Sequence, residues 1–265
     1  MSNRIEEKIK ELNNKGEKAF ITYITAGLPD MKVTKKLIKA KEMAGIDIIE
    51  LGIPFSDPTA DGPVIQQASY EALLAGADIN KTFTLVEELR KENVIVPIIF
   101  MLYYNTILSM GIEKFIEKCN KSGVDGLIIP DLPFEEQGKI NAALAKNDET
   151  ILIQLISPLS EDRIPMITEN ARGFIYLVSS MGVTGQSANF HKEIVNYIKK
   201  VKKASKIPVM MGFGIRTPKD LENVSDIIDG AIVGSHFINI LRESDFNINV
   251  ATEYIKDFKY QINHM

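Results

Sequence analysis

The chain has 265 residues, 45% hydrophobic and 25% charged, with a formal net charge of −4, the balance of an ordinary globular protein with no long basic run to suggest nucleic acid or an anionic membrane as partner. The single cysteine, Cys119, rules out an intrachain disulfide and fits a reducing compartment. The N-terminal Met-Ser-Asn-Arg-Ile-Glu-Glu-Lys is charged and helix-like rather than a signal peptide, and no apolar run is long enough to span a bilayer, so a cytoplasmic location is expected.

Residues 3–14 carry Ile5, Ile9 and Leu12 at helical spacing, and Gly16 supplies a stop. A strand follows at 19–25, a helix at 33–44 and a second strand at 47–51. Pro63 opens a helix over 63–75, where its missing N–H does no harm, and a further helix covers 81–91. Then come a strand at 94–101, a helix at 111–121, a strand at 126–129, a helix at 134–146, a strand at 150–155 and a helix at 161–170. The strand at 173–179 leads into a polar loop at 180–189 and a helix at 190–204. The pattern closes with a strand at 207–211, a short helix at 217–225, a strand at 227–233 and helices near 235–242 and 247–262.

Short apolar strands alternating with amphipathic helices need right-handed parallel crossovers. Eight such units, with no linker or composition shift between them, predict one α/β domain over 1–265: a (β/α)8 TIM barrel. The segments at 3–14, 81–91 and 247–262 are then an extra N-terminal helix, an extra helix after strand two and an extra C-terminal helix. An open doubly wound sheet would call for a Gly-x-Gly-x-x-Gly turn after the first strand, and none is present.

Chemistry in such a barrel sits at the C-terminal strand ends. Strand two places Glu50 in an apolar run, and its loop adds Asp57 and Asp61. A buried carboxyl is driven toward a higher pKa and can then give and take a proton, whereas an exposed Asp61 should stay ionised. The structural alternatives are a buried ion pair for Glu50, for instance with a lysine, a helix N-cap for Asp61 and a turn for Asp57. Asp131, at the end of strand four, is a turn residue held in reserve. Three glycine loops, Gly182-Val183-Thr184-Gly185, Gly212-Phe213-Gly214-Ile215 and Gly234-Ser235, end strands six to eight and suit a phosphate held by backbone amides and a helix N-terminus. No lysine stands at a strand end for a Schiff base, and His191, His236 and His264 are scattered rather than spaced for a metal, so no metal site is expected. Cys119 reads as packing. Cofactor-free acid–base chemistry on a phosphorylated small molecule is what remains; a sugar-phosphate isomerase on the same barrel and a non-catalytic regulatory subunit are the competing readings.

The run Ile49-Glu50-Leu51-Gly52-Ile53-Pro54-Phe55-Ser56-Asp57-Pro58-Thr59-Ala60-Asp61-Gly62-Pro63 closely resembles the signature of the tryptophan synthase alpha chain family, and Tyr23-Ile24-Thr25-Ala26-Gly27, Pro130-Asp131-Leu132-Pro133 and the glycine loops extend the resemblance over nearly the whole chain. The resemblance implies a lyase that splits indole-3-glycerol phosphate into indole and glyceraldehyde 3-phosphate. It implies Glu50 as the acid–base group and Asp61 as the carboxylate facing the indole N–H. Gly185, Gly214, Gly234 and Ser235 match the phosphate site, and Tyr176 matches an active-site tyrosine. Thr184, Phe213, Phe20, Ile65, Met101, Tyr103 and Ile129 are expected to touch substrate. It further implies an α2β2 complex with a tryptophan synthase beta chain that carries pyridoxal phosphate, this chain holding no cofactor. Pro54, Phe55, Asp57, Pro58, Tyr104 and Asn105 would face that partner. Ser180-Met181 departs from the arginine that many members carry in the sixth loop, which puts lid closure onto other contacts such as Thr184 with Asp61.

Overall fold

The computed structural model describes residues 3–146, 149–178, 188–212 and 214–265. Thr184, Gly185, Phe213 and the Ser180-Met181 pair lie outside the described residues. The elements in order are α1 (Arg4–Lys15), β1 (Ala19–Thr25), α2 (Met31–Met43), β2 (Ile48–Gly52), α3 (Pro63–Leu74), α4 (Ile79–Lys91), β3 (Ile98–Met101), α5 (Tyr104–Met110), α6 (Ile112–Ser122), β4 (Gly126–Ile128), α7 (Gly138–Leu144), β5 (Ile151–Leu152), β6 (Gln154–Ile156), α8 (Ile164–Glu169), β7 (Ile175–Val178), α9 (Ala188–Ala204), β8 (Val209–Gly212), β9 (Gly230–Val233), α10 (Ser235–Glu243) and α11 (Ile248–Ile262).

All paired strands are parallel, in the order β5-β4-β3-β2-β1-β9-β8-β7-β6. β5 and β6 are two halves of one barrel stave interrupted at Ile153: the first half pairs with β4, the second with β7. The sheet therefore runs round on itself, and the eight expected strands form a TIM barrel with the predicted extra helices at both ends of the chain and after β2.

The alternation along each strand sorts the core into two layers. Ile21, Ile48, Ile99, Ile128, Met210 and Ile232 fill the barrel interior. Residues such as Ile49, Leu51, Phe100, Leu127 and Leu177 point outward against the helices. The interior is floored by α1, whose Ile5, Ile9 and Leu12 join the inner cluster. Asn3 caps that helix by accepting from the Ile5 amide and ties it to the barrel through the carbonyls of Asp125 and Glu149. A Cβ at Gly126 would sit 2.8 Å from the Ile5 side chain, so glycine there admits the plug.

Local departures from the sequence reading have clear causes. The segment 217–225 forms only a 3-10 turn over Pro218–Leu221, fixed by a Thr217/Asp220 capping box. The expected helices at 134–146 and 161–170 each begin as 3-10 turns before α7 and α8. Tyr104 and Asn105, read as loop, open α5, which is separated from α6 by Gly111 at φ 85°. Both carboxylate oxygens of Asp131 accept from the Tyr104 amide, at 2.9 and 3.1 Å. No described helix is long and apolar enough to cross a membrane.

Candidate active site

Strand β2 places Ile48, Glu50 and Gly52 on the interior face. In register, Glu50 lies beside Tyr23 on β1 and Ile99 on β3. Its side chain is 1% exposed, and its Oε1 has no hydrogen-bond partner. Burial pushes the Glu50 carboxyl up to about 8; the negative charge of Asp61 adds to the rise, and Lys41 opposes it. No described ion pair reaches Glu50 directly, so the satisfied salt bridge weighed as its alternative role is not what the fold builds. An orphaned buried carboxyl oxygen costs about 1–3 kcal/mol, and no hydrogen bond from the described residues offsets it.

Asp61 comes from the loop after β2. It does not cap α3: the cap is Gly62, which makes no side-chain bond. Nor is it an exposed surface carboxylate. Asp61 is partly buried, and desolvation raises its pKa, offset by a hydrogen bond from Tyr103. The Tyr103 hydroxyl donates to Asp61 Oδ2 at 2.8 Å and accepts from the Ala60 amide at 3.0 Å. Its ring stacks on Phe55 at 5.0 Å between centroids. Phe55 is in turn pinned by Ser69 on α3, whose hydroxyl accepts from the Phe55 amide at 2.7 Å and donates to its carbonyl at 2.9 Å.

Two tyrosines complete the ring around Glu50. A Cβ at Gly52 would collide with the Tyr23 hydroxyl, and one at Gly212 would collide with the Tyr176 ring, so glycine at both sites makes room for an aromatic side chain. Tyr176 is buried, and its hydroxyl is held far above the usual range by desolvation and then by the charges of Glu50 and Asp61. Beside them lies a cavity of about 460 Å³ whose walls include Ala60, Met101, Ile129, Asp131 and Tyr176. Opposite, α10 starts at Ser235 after Gly234, and Gly214 has φ 74°, a left-handed conformation suited to glycine. A Cβ at Gly234 would lie 3.8 Å from both Ile65 and Tyr23, which sets the N-terminus of α10 close to the side chains around Glu50.

The fold and the sequence recur in known proteins. The family model for the tryptophan synthase alpha chain matches residues 9–264. The chain belongs to that family. It is 59% identical over 262 residues to the tryptophan synthase alpha chain of Lachnospira eligens, covering 98% of this chain and 99% of the relative. Among solved structures it resembles tryptophan synthase subunit alpha of Legionella pneumophila, with a TM-score of 0.90, 32% identity and 100% of both chains covered. It also matches a chain of Mycobacterium tuberculosis tryptophan synthase, with a TM-score of 0.86, 29% identity and 99% of both chains covered. The family's reaction is cleavage of indole-3-glycerol phosphate, and the chain is thereby a tryptophan synthase subunit.

Several of the residues expected of a tryptophan synthase alpha chain come together. Glu50, Asp61, Tyr103 and Tyr176 form one electrostatically linked group. Met101 and Ile129 line the mouth cavity, and the Ile65 side chain lies beside Gly234. Phe20 requires correction. It lies on the outer face of β1, fully buried, stacked on Phe258 of α11 at 4.1 Å, and is not in the barrel mouth. The aromatic residue of β1 that faces Glu50 is Tyr23, which the sequence reading passed over although it shares its face with Ile21. Pro54 is buried within the isolated chain, while Phe55 is half-buried and stacks on Tyr103. Asp57 and Asn105 are exposed, and Pro58 and Tyr104 are partly so.

Proposed function

We propose that Glu50 and Asp61 carry the cleavage of indole-3-glycerol phosphate to indole and glyceraldehyde 3-phosphate in this chain. The observation that supports the assignment is the buried Glu50 carboxyl, its Oε1 without a hydrogen-bond partner and its pKa pushed up to about 8 by burial and by the nearby charge of Asp61. Near neutral pH Glu50 is largely protonated. It delivers that proton to indole C3, giving a cation whose charge spreads to the ring nitrogen. Asp61, ionised with help from the Tyr103 hydrogen bond, faces the ring N–H and stabilises that charge. The Glu50 carboxylate then takes the proton of the adjacent glycerol hydroxyl, the carbon–carbon bond to C3 breaks, and its electron pair restores neutral indole as the aldehyde forms. Glu50 ends the cycle protonated, as it began. Each positioned proton-transfer group of this kind contributes on the order of 10²–10⁴ in rate.

The phosphate sits against Gly214, Gly234 and Ser235, with the α10 N-terminus supplying amides and dipole. Tyr23, Tyr176, Ile65, Met101 and Ile129 enclose the indole. Thr184, Gly185 and Phe213, which the family resemblance adds to this site, lie outside the described residues. The step as written uses side chains of this chain and the substrate alone. The partner is a tryptophan synthase beta chain carrying pyridoxal phosphate, in an α2β2 assembly, docked over exposed Asp57 and Asn105 with Pro58 and Tyr104 beside them. Indole release from indole-3-glycerol phosphate by the purified chain, with and without a beta chain, tests the reading. Turnover that disappears in Glu50→Gln supports it; no indole from either preparation overturns it. Asp57→Ala is expected to keep basal cleavage and lose activation by the beta chain.

A further inference from the structure

Helix α2 buries a lysine that the reaction above does not use. Lys41 is 0% exposed, on the same helix stripe as Thr34, Leu37 and Ile38. Its Nζ donates to the Thr22 carbonyl at 3.0 Å and lies 5.1 Å from the centroid of the Phe237 ring. An ammonium has three donors, and one carbonyl and one ring face leave it undersolvated. The Thr22 hydroxyl nearby is itself buried without a partner. A methionine or leucine would fill this position at lower cost if packing were all it did.

The placement supplies a reason. Thr22 lies on β1 next to Tyr23, and Tyr23 is in register with Glu50 on β2. Lys41 therefore approaches the β1–β2 pair from the helix side, and Glu50 faces inward from the same pair. Among the described residues, Glu50 is the charged group that acts on Lys41. The groups that act on or feel Glu50 from the surrounding elements are Lys41 from α2, Asp61 from the loop after β2, Tyr23 from β1 and Tyr176 from β7. Of these, Lys41 alone can be positive.

We propose that Lys41 is a positioning residue for the lyase reaction, its buried ammonium being the counter-charge against which Glu50 ionises. The inference rests on Glu50 being the acid–base group. Burial lowers the affinity of Lys41 for its proton and raises that of Glu50, and each charge relieves the other through the sheet. When Glu50 hands its proton to indole C3, the carboxylate left behind faces a cation already in place. When it recovers a proton from the glycerol hydroxyl, the same cation keeps it from becoming too weak an acid to act again.

The sign of the effect follows. Removing the ammonium makes Glu50 hold its proton to higher pH. Since the cycle starts from protonated Glu50, the alkaline limb of the kcat profile for indole release moves up in Lys41→Met and Lys41→Gln, by about half a pH unit or more. The acid limb, set by Asp61, stays where it is. A lysine that only packs would change the melting temperature and leave both limbs in place, and that result overturns the proposal. A reciprocal measurement does not depend on the Lys41 variants folding. With ¹⁵N-labelled lysine in the full chain, the Lys41 amine is expected to titrate at lower pH in Glu50→Gln than in the unaltered protein; an unchanged titration overturns the proposal. Glu50→Gln also separates the two readings. If it still releases indole at the full rate, the assignment of Glu50 fails. If it is inactive and the Lys41 results are negative, only the role of Lys41 fails.

Discussion

Replacing Tyr103 by phenylalanine removes one oxygen and two hydrogen bonds while keeping the ring that stacks on Phe55. The bond to Asp61 is charge-assisted and short, at 2.8 Å. Bonds to charged groups contribute about 1.5–3 kcal/mol. If that energy is felt in the transition state, where Asp61 opposes a cation, it corresponds to a loss of about 10- to 100-fold in kcat/KM at neutral pH. A second signature is independent of magnitude. Burial already raises the Asp61 pKa, and the Tyr103 bond is what holds it down. Without the hydroxyl, Asp61 stays protonated to higher pH, so the acid limb of the kcat/KM profile moves up while the alkaline limb, set by Glu50, does not. Steady-state indole release across pH 5 to 9, with a melting curve to verify the fold, reads both effects. A loss under twofold with an unmoved acid limb would show that Tyr103 only lines the site.

Glu50→Gln should lose about 10²–10⁴ in turnover. Its stability should move the other way: the folded carboxyl holds its proton up to about 8 whereas a solvated glutamate holds it only to 4.5, so between those values the native state binds more protons, and stability falls as pH rises. The glutamine variant lacks that loss, and its melting temperature at pH 8 should exceed that of the unaltered chain, whereas at pH 4 the gap should close. Gly52→Ala puts a methyl group into the Tyr23 hydroxyl; repacking costs about 1–3 kcal/mol, and displacing Tyr23 should raise KM, both readable from melts and kinetics. At the opposite end of the barrel, Asp125 accepts from Arg90, Arg4 and the Ile98 amide, each within 2.8 Å. Arg90→Ala should destabilise by about 3–5 kcal/mol, as expected when a buried pair is broken, with kcat unchanged in the folded fraction.

The barrel was legible because its signal is local: apolar runs of strand length alternate with helical periodicity. Glu50 was legible for the same reason, since one carboxylate stands out in a run buried on both faces. Phe20 and Tyr23 show the limit. Both are aromatic residues in one strand, and a shift by one position moves a side chain from the helix layer to the barrel interior. The alternation from Ile21 to Tyr23 held the answer, but choosing that face required knowing which side Glu50 takes. α5 was not legible at all. Its N-terminal amide is met by Asp131, which lies 27 residues later in the chain. Lys41 was half-legible: it shares a stripe with Leu37 and Ile38, yet a lysine there reads as a solvated charge until the helix is seated on β1.

Both site carboxylates have raised pKa values from the same first cause, desolvation, but the fold holds them differently. Glu50 is fixed by strand register, with neighbours on both sides and no hydrogen bond at Oε1. Its proton affinity is therefore set first by burial in the barrel, with the charges of Asp61 and Lys41 as smaller, opposed contributions. Asp61 is fixed by a relay of side chains, from Ser69 through Phe55 and Tyr103. A group that must shuttle a proton twice needs a constant affinity, which a rigid strand supplies. A group that must stay ionised opposite a transient cation needs a donor beside it, and the Tyr103 hydroxyl is bonded to both Ala60 and Asp61 of the loop after β2. Phe55, one link of that relay, lies in the loop that holds exposed Asp57, so a shift of that loop reaches Asp61 through two contacts and reaches Glu50 only through the charge of Asp61.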